Sequence, residues 1–200
     1  DPAAQLGRAA ERTIEQFCAD FLVNWGAGAI NGGTIYDATA LYTVGHANTG
    51  TAALSETSVE AARRATWQQT DPQTLTTLRL NLKKMFVPPA LDATARKLAK
   101  TDRQWDSANN ARSDIFETFS PIVSPYLRGD TNNWYMTTDP NENEFGRINF
   151  LDGDDEPTLE LQDQPTESTV FTNDRITWKV KWVFGGGTTD FRAAYGAIVA

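Results

Sequence analysis

The stretch Ile176-Thr-Trp178-Lys-Val180-Lys-Trp182-Val-Phe184 alternates almost strictly between apolar and polar residues. A period of two residues is typical of a β-strand with one buried face, because successive side chains point to opposite sides of a sheet. The apolar face carries Ile176, Trp178, Val180, Trp182 and Phe184. Aromatic residues of this size need a large apolar partner, and we expect a helix from the other end of the chain to supply it.

That helix is predicted from Gln5 to about Trp25. Its apolar residues recur at spacings of three and four and therefore form one stripe along the helix. The stripe contains Leu6, Ala10, Ile14, Phe17, Phe21 and Trp25. Asp1-Pro2 suits the start of a helix and Gly26 suits its end. At about 1.5 Å per residue the helix would be about 30 Å long, enough to lie across a sheet.

The composition is that of a globular chain and counts against several classes of function. Its 200 residues, 40% hydrophobic and 22% charged, fit one domain or two small ones. Cys18 is the only cysteine and His46 the only histidine, which counts against multi-cysteine metal sites and histidine-based catalysis. A net charge of -8 gives no global basic footprint for nucleic acid, and no apolar run is long enough to cross a bilayer.

Between the two organising elements the sequence predicts short strands and helices in mixed order. Strands are predicted at 40–44, at 78–82 and 85–87 as one strand or two, at 116–123, 134–138, 146–151 and 158–161, and at 191–195 with 197–199 as one last short strand. One helix is expected to end near Gln69, with either Ser55 or Thr57 as its N-cap. Another follows Pro88-Pro89 and reaches Leu98. Prolines place strand 116–123 at a sheet edge, and strand 158–161 is the expected partner of strand 146–151.

Two motifs in the first quarter of the chain suggest sites, and each has a simpler interpretation. The segment Gly26–Gly33 superficially resembles a dinucleotide fingerprint. However, Asn31 stands where the last glycine belongs, and the segment follows a helix rather than a strand, so we predict a turn. His46 is a possible general base, but no nucleophile elbow or nearby cysteine accompanies it. We therefore favour a structural or loop-capping histidine.

Two later motifs also suggest sites, and they too have simpler interpretations. The acidic loop Asp152–Pro157 suggests calcium binding or a glycosidase pair. An EF-hand needs glycine where Pro157 stands, and one hairpin loop does not set the separation of two carboxylates across a sugar. We favour a solvated turn, with an adventitious divalent ion as the alternative. Gly185–Gly187 lacks the lysine of a phosphate loop and predicts a bulge, a bend or a close backbone approach.

Three stretches, taken in order, carry a resemblance to a known family. They are Leu6–Thr13 (LGRAAERT), Phe86–Ala95 (FVPPALDATA) and Trp178–Tyr195 (WKVKWVFGGGTTDFRAAY). Over most of residues 5–199 the chain resembles the major capsid (major head) proteins of tailed phages, closest to the Mu-like head subunit group. The resemblance implies an α+β, Hong Kong 97-like coat fold. In that fold a long spine helix packs on a β-sheet in a peripheral domain, and a mixed α/β axial domain surrounds the capsomer axis.

The resemblance also implies a division of this chain. Residues 1–33 and 151–187 would form the peripheral domain, and residues 34–150 and 188–200 the axial domain. Gln5–Trp25 would be the spine helix and Arg175–Phe184 a long peripheral strand. The hairpin Gly146–Leu161 resembles the segment between the domains. The family has an N-terminal arm and an extended loop before the spine helix, and we expect both to be absent from this chain, either cut away or left out.

The function implied by the resemblance is structural, with no catalytic, cofactor-binding or metal-binding residue. The subunit would self-assemble through pentamers and hexamers into an icosahedral head shell around double-stranded DNA. It would be part of the virion after assembly in the host cytoplasm. Expected partners are further copies, portal, scaffold or decoration proteins, and DNA through weak contacts, but no membrane. The loops near His46, at 100–114 and at 128–133 would face the capsomer axis or the outer surface.

Two alternatives remain open at this stage. One is a same-fold shell of a gene-transfer particle or an encapsulin-like protein nanocompartment. The other is an enzyme that uses Asp154 and Asp155 of the acidic loop. The contents of the particle distinguish the first alternative from a phage head, and loss of turnover on substituting the two aspartates would favour the second.

Overall fold

The computed structural model describes residues 2–23, 34–103, 112–127, 131–163, 172–173 and 176–199. Its helices are α1 (Pro2–Val23), α2 (Glu56–Trp67) and α3 (Asp92–Lys100), with short 3₁₀ turns at Pro89–Leu91, Leu151–Gly153 and Phe191–Ala193. Its strands are β1 (Thr49–Gly50), β2 (Leu82–Val87), β3 (Ser120–Val123), β4 (Trp134–Thr138), β5 (Gly146–Phe150), β6 (Thr158–Gln162), β7 (Thr177–Lys181), β8 (Phe184–Thr188) and β9 (Ala194–Ala197). This mixture of helix and sheet is compatible with the predicted α+β class.

The described strands form a five-stranded sheet in the order β1-β9-β4-β2-β3 and the two-stranded sheets β5–β8 and β6–β7. The chain divides into two compact units. Unit 1 contains Asp1–Cys18 and Ile148–Gly186, and unit 2 contains Ala19–Arg147 and Gly187–Ala200. The five-stranded sheet, α2 and α3 therefore belong to unit 2, and β6, β7 and most of α1 belong to unit 1.

The core of unit 2 lies on both faces of its sheet. All five residues of the central strand β4 are buried. Trp134 and Met136 join one cluster, which includes Val59 of α2 and Leu98 of α3. Tyr135 joins a second cluster on the opposite side, because successive side chains of a strand face opposite ways. Because both faces of β4 are covered, its first three residues, Trp134, Tyr135 and Met136, are all aromatic or apolar.

The two predicted helices of unit 2 form, and the structure decides the open N-cap. Ser55 is the N-cap of α2, since the Ser58 backbone N–H donates to Ser55 Oγ at 3.2 Å. The Ser55 N–H donates in return to Ser58 Oγ at 2.9 Å, which completes a capping box. The helix ends at Trp67, earlier than predicted. Pro89 begins the 3₁₀ turn that leads into α3, as the double proline predicted.

Strand 116–123 is an edge strand, as its prolines predicted, but it is shorter. Only Ser120–Val123 is extended, and it pairs in parallel with β2 alone. Pro121 is tolerated there because an edge strand leaves one side of its backbone without a partner strand.

The predicted strand 40–44 is wrong. Ala40 makes only an isolated bridge with Thr34, and the following residues turn, with the His46 N–H donating to the Thr43 carbonyl at 3.2 Å. Leu41 is fully buried, whereas Val44 is 88% exposed. The apolar residues of this segment therefore pack a loop onto the core rather than form one face of a strand.

Two further boundaries differ from the prediction. The strand expected at 78–82 begins only at Leu82, because Arg79 has a left-handed φ of 54° that interrupts the extended backbone. At the end of the chain, Phe191–Ala193 forms a 3₁₀ turn capped by the Asp190 side chain. The last strand is Ala194–Ala197, which lies within the single strand predicted from 191–195 with 197–199 and is shorter at both ends.

The pairing predicted between strands 146–151 and 158–161 is also wrong. β5 pairs with β8, and β6 pairs with β7 in an antiparallel register from Thr158↔Lys181 to Gln162↔Thr177. The loop between β5 and β6 does not fold β6 back onto β5, so the acidic residues form an outward excursion. A left-handed Asp152 (φ 57°) followed by Gly153 (φ 81°) begins this excursion.

The organising stretch is therefore two strands, β7 and β8, separated by Trp182 and Val183. Gly185–Gly187 lies within β8, and a Cβ added at Gly185 or Gly187 would meet nothing within 4 Å. The close approach is instead at Gly146, where an added Cβ would lie 2.6 Å from Cζ of Phe21. The predicted turn Gly26–Gly33, residues 104–111 of the predicted loop and 128–130 lie outside the described residues.

Candidate functional site

Unit 1 buries little of its apolar surface within the single chain. Among the described residues, Ala10 is the only hydrophobic residue of unit 1 that is buried. Its large apolar side chains stay in contact with solvent, with exposed fractions between 36% for Trp178 and 64% for Ile176. The exposed set is Leu151, Leu159, Leu161, Ile176, Trp178 and Val183. An apolar patch of this extent on one part of a surface indicates a site of interaction.

The register of β6 and β7 concentrates part of this surface on one side. Leu159 lies opposite Val180, and Leu161 lies opposite Trp178. Residues two apart on a strand share a face. These four side chains therefore form one apolar surface, which we call the β6–β7 face.

The opposite side of the same two strands is polar and charged. Lys179 Nζ donates to Glu160 Oε2 at 2.8 Å. This hydrogen bond, together with the charges of Lys179 and Lys181, holds the pKa of Glu160 below its usual range. Both partners are more than half exposed, so the pair contributes little to stability. It does give β6 an acidic side chain and β7 a basic one at directly opposed positions.

An aromatic cluster continues the apolar surface toward β8. The Phe17 ring of α1 meets Phe184 edge to face at 5.2 Å. Trp182 lies 5.3 Å from Phe184 and stacks on Phe150 at 5.7 Å. The predicted packing of the aromatic strand on the helical stripe is therefore confirmed for Phe17. It is wrong for Phe21, which packs on Phe145 at 5.4 Å, and Trp25 lies outside the described residues.

A groove opens where α1 and β7 begin. Its volume is about 460 Å³, and it is lined by Pro2, Gln5, Leu6, Ile176, Thr177 and Trp178. Apolar side chains from both elements reach it, but no cluster of charged or nucleophilic groups does. A groove of this kind fits an apolar protein segment better than a small polar ligand.

His46 has a structural geometry. Its Nε2 lies 2.7 Å from Asp37 Oδ2 and 3.0 Å from Thr39 Oγ1, and its Nδ1 lies 3.0 Å from the Leu41 carbonyl oxygen. The ring stacks on Phe191 at 4.0 Å. In a catalytic triad the acid and the nucleophile bind opposite ring nitrogens, whereas Asp37 and Thr39 share Nε2. The side chain therefore ties the loop together, and Asp37 is the partner that the sequence analysis missed.

Asp37 is held ionised by this arrangement. Desolvation raises the pKa of its carboxyl, but the hydrogen bonds from Thr39 and His46 outweigh it, so the pKa lies below its usual range. Asp37 precedes His46 by nine residues, with no motif between them. A turn residue at that distance carries no sequence signal for a histidine partner.

The acidic loop does not assemble a site. Asp152, Asp154, Asp155 and Glu156 are all exposed, and the Asp154 carbonyl accepts from Trp182 Nε1 at 3.3 Å. Across the described ranges, no group of three or more His, Cys, Asp or Glu residues could hold a metal ion. Nor do the helices in those ranges include one that is both long and apolar enough to span a bilayer.

The comparison with protein families bears on the whole chain. The family model described as phage capsid protein matches residues 2–197. No curated protein matches the sequence significantly. The match therefore covers nearly all of both units, and it assigns the chain a structural role in the virion capsid. The chain belongs to the phage capsid protein family.

Proposed function

We propose that this chain is the major subunit of a Hong Kong 97-type head shell, of the Mu-like group, and that it self-assembles into an icosahedral shell around double-stranded DNA. Family membership supports the capsid role. One observation supports self-assembly: unit 1 leaves Ile176 and three of the four residues of the β6–β7 face, Leu159, Leu161 and Trp178, exposed in the single chain. Further copies of the same chain would cover this surface in a shell.

In the proposed fold, unit 1 corresponds to the peripheral domain and unit 2 to the axial domain. The 22-residue helix α1 takes the part of the spine helix, and β7 and β8 take the part of the long peripheral strands. The ranges proposed for the two domains are 1–33 with 151–187 and 34–150 with 188–200. They overlap units 1 and 2 but have other bounds, since unit 2 begins at Ala19 and the second segment of unit 1 is Ile148–Gly186. Support comes from the order of the elements along the chain and from the aromatic contact of α1 with β8.

The charge of the chain fits packaging rather than tight nucleic-acid binding. With a net charge of -8, a single subunit offers no strong electrostatic attraction for DNA. A closed shell needs none, because many weak contacts between copies act together. We therefore expect only weak contact with the packaged DNA. From the proposed role in a head shell, we expect portal and scaffold or decoration proteins as further partners.

Electron microscopy of the purified full-length gene product, with its mass from light scattering, tests the proposal. Closed shells or rings of subunits are the expected result. Nuclease-protected double-stranded DNA inside the shells would support the head shell, whereas a protein cargo would favour the nanocompartment. A full-length product that stays monomeric under all assembly conditions would overturn the proposal.

A further inference from the structure

We infer that strand β6 of one subunit pairs with the outer edge of strand β7 of the next, so that the two-stranded sheets of neighbouring copies join head to tail. The inference rests on the proposed self-assembly and names the surface that carries it. The occupant is a second copy of this chain. Three features of β6 and β7 support this pairing: their unpaired edges, their apolar face and their charges.

The first observation is that each strand has an edge that pairs with no other described strand. Within the residues that the structure describes, β6 pairs only with β7, and β7 pairs only with β6. Four of the five residues of each strand are exposed. An exposed strand edge presents a row of backbone donors and acceptors that a further strand satisfies directly.

The second observation is the continuity of the apolar face. If β6 of a neighbour lies beside β7 in an antiparallel direction, its Leu159 and Leu161 extend the row that begins with Trp178 and Val180. The sheet then keeps one apolar and one polar side across the contact, because the side-chain period of a strand is two. A register slipped by one residue would place leucines among lysines.

The third observation selects the second copy and its orientation. β7 carries Lys179 and Lys181 on its polar side, and β6 carries Glu160. Pairing β7 with β7 would oppose lysines, and pairing β6 with β6 would oppose glutamates, both of which are destabilising. Pairing β6 with β7 opposes unlike charges, as it already does within the chain at Glu160 and Lys179.

This contact is heterologous, since each copy uses one edge toward each neighbour. Heterologous contacts produce rings when the rotation between copies closes, and open filaments when it does not. Rings are the capsomers that the proposed function requires. A symmetric dimer through these strands is the arrangement that the charges disfavour.

Charge reversal on separate chains tests the pairing. The test assumes the register that places Glu160 of one copy opposite Lys181 of the next, which keeps the leucines on the apolar side. In that register Glu160→Lys alone sets lysine against Lys181 of the neighbour, and Lys181→Glu alone sets glutamate against Glu160. We expect each variant to need a roughly tenfold higher concentration to form rings or shells. In a mixture, a contact between one variant and the other has unlike charges, so rings with an even number of subunits, in which the two variants alternate, should recover. A five-membered ring keeps at least one contact between two copies of the same variant. Lys83→Glu, an exposed lysine of unit 2, is the matched control and should assemble normally.

A second measurement needs no variant. Isotopically heavy and light wild-type chains are mixed before assembly, treated with a carbodiimide that joins carboxylates to amines, and digested for mass spectrometry. We expect mixed-isotope peptides that join the Glu160 segment to the Lys179–Lys181 segment. This readout does not depend on how well either variant folds.

The outcomes separate the two proposals. Wild-type assembly with mixed-isotope peptides and rescue by the mixture supports the inference. Wild-type assembly with no such peptides and no effect of either reversal overturns the strand pairing and leaves the shell in place. A wild-type full-length product that never assembles overturns both.

Discussion

Replacing Gly196 by alanine tests how tightly the core of unit 2 is built around its last strand. Gly196 lies in β9, between Thr49 of β1 and Tyr135 of β4. A Cβ at this position would lie 2.7 Å from Cδ1 and 2.8 Å from Cγ of Tyr42. These separations are far inside van der Waals contact, so either the ring or the strand has to move.

The ring of Tyr42 has little freedom to move away. It is buried, packs 5.5 Å from the ring of Tyr135, and donates its hydroxyl to the Leu22 carbonyl at 2.8 Å. Overpacking by a methyl group costs about 1–3 kcal/mol. Loss of the hydroxyl hydrogen bond adds about 1 kcal/mol, and the lower entropy of the unfolded alanine chain offsets about 0.4–1 kcal/mol. We expect a net loss of about 2–3 kcal/mol.

Urea unfolding of the separated subunit measures this loss, with Gly187→Ala as the matched control. Gly187 also lies in a strand, but an added Cβ there meets nothing within 4 Å. We expect the control to unfold at the wild-type midpoint or slightly above it. In a Tyr42→Ala background the cost of Gly196→Ala should disappear, because the clashing ring is gone. Equal costs in both backgrounds, or no difference between the two glycine variants, would refute the steric argument.

Three further outcomes follow from local contacts. Ser55→Ala should lower the free energy of unfolding by about 1 kcal/mol through loss of the N-cap, and Thr57→Ala by less than about 0.5 kcal/mol, both measured by urea unfolding. The hydrogen bond from Arg147 holds the pKa of Glu144 below its usual range, so its contribution to stability is present above the pKa of the unfolded carboxyl and lost as the pH falls through the lower folded pKa. The stability deficit of Glu144→Gln should therefore be present at neutral pH and absent in acid. Ile176→Ser should change unfolding of the subunit by less than about 0.5 kcal/mol but weaken its self-association, measured by light scattering.

The parts of the fold that the sequence predicted share a physical property: their signals are local. The stripe of α1 from Leu6 to Phe21 repeats at helical spacing, and Pro89 fixes the backbone for the first turn of the next helix. β4 was predicted with its observed bounds, Trp134–Thr138, because turn-forming residues on both sides bound a run that begins with Trp-Tyr-Met. In each case the neighbouring residues alone determine the conformation.

The parts that the sequence did not predict depend on contacts between distant segments. Strands 146–151 and 158–161 have the same alternation whether they pair with each other or with β8 and β7. The choice is made by the partner strands, β8 for β5 and β7 for β6, which lie far away in the sequence. Likewise, Leu41 and Tyr42 are buried in a core cluster of unit 2 as part of a loop, and no local pattern distinguishes this from a strand.

The exposed face of unit 1 was not predicted, because the sequence led us to expect that the helix α1 would cover the apolar face of the strand. Strict alternation from Ile176 to Phe184 requires a buried face, yet Trp178 remains 36% exposed and Ile176 64% exposed in the single chain. A pattern selected for burial that stays exposed in the monomer is consistent with burial in an assembled state. The polar side then carries the specificity, because Lys179 and Lys181 oppose a second copy of β7 while Glu160 favours β6. In the proposed assembly, the apolar face of β7 is buried only when a neighbouring subunit is present. The lysines of β7 then favour β6 of that neighbour over β7 as the strand that pairs with it.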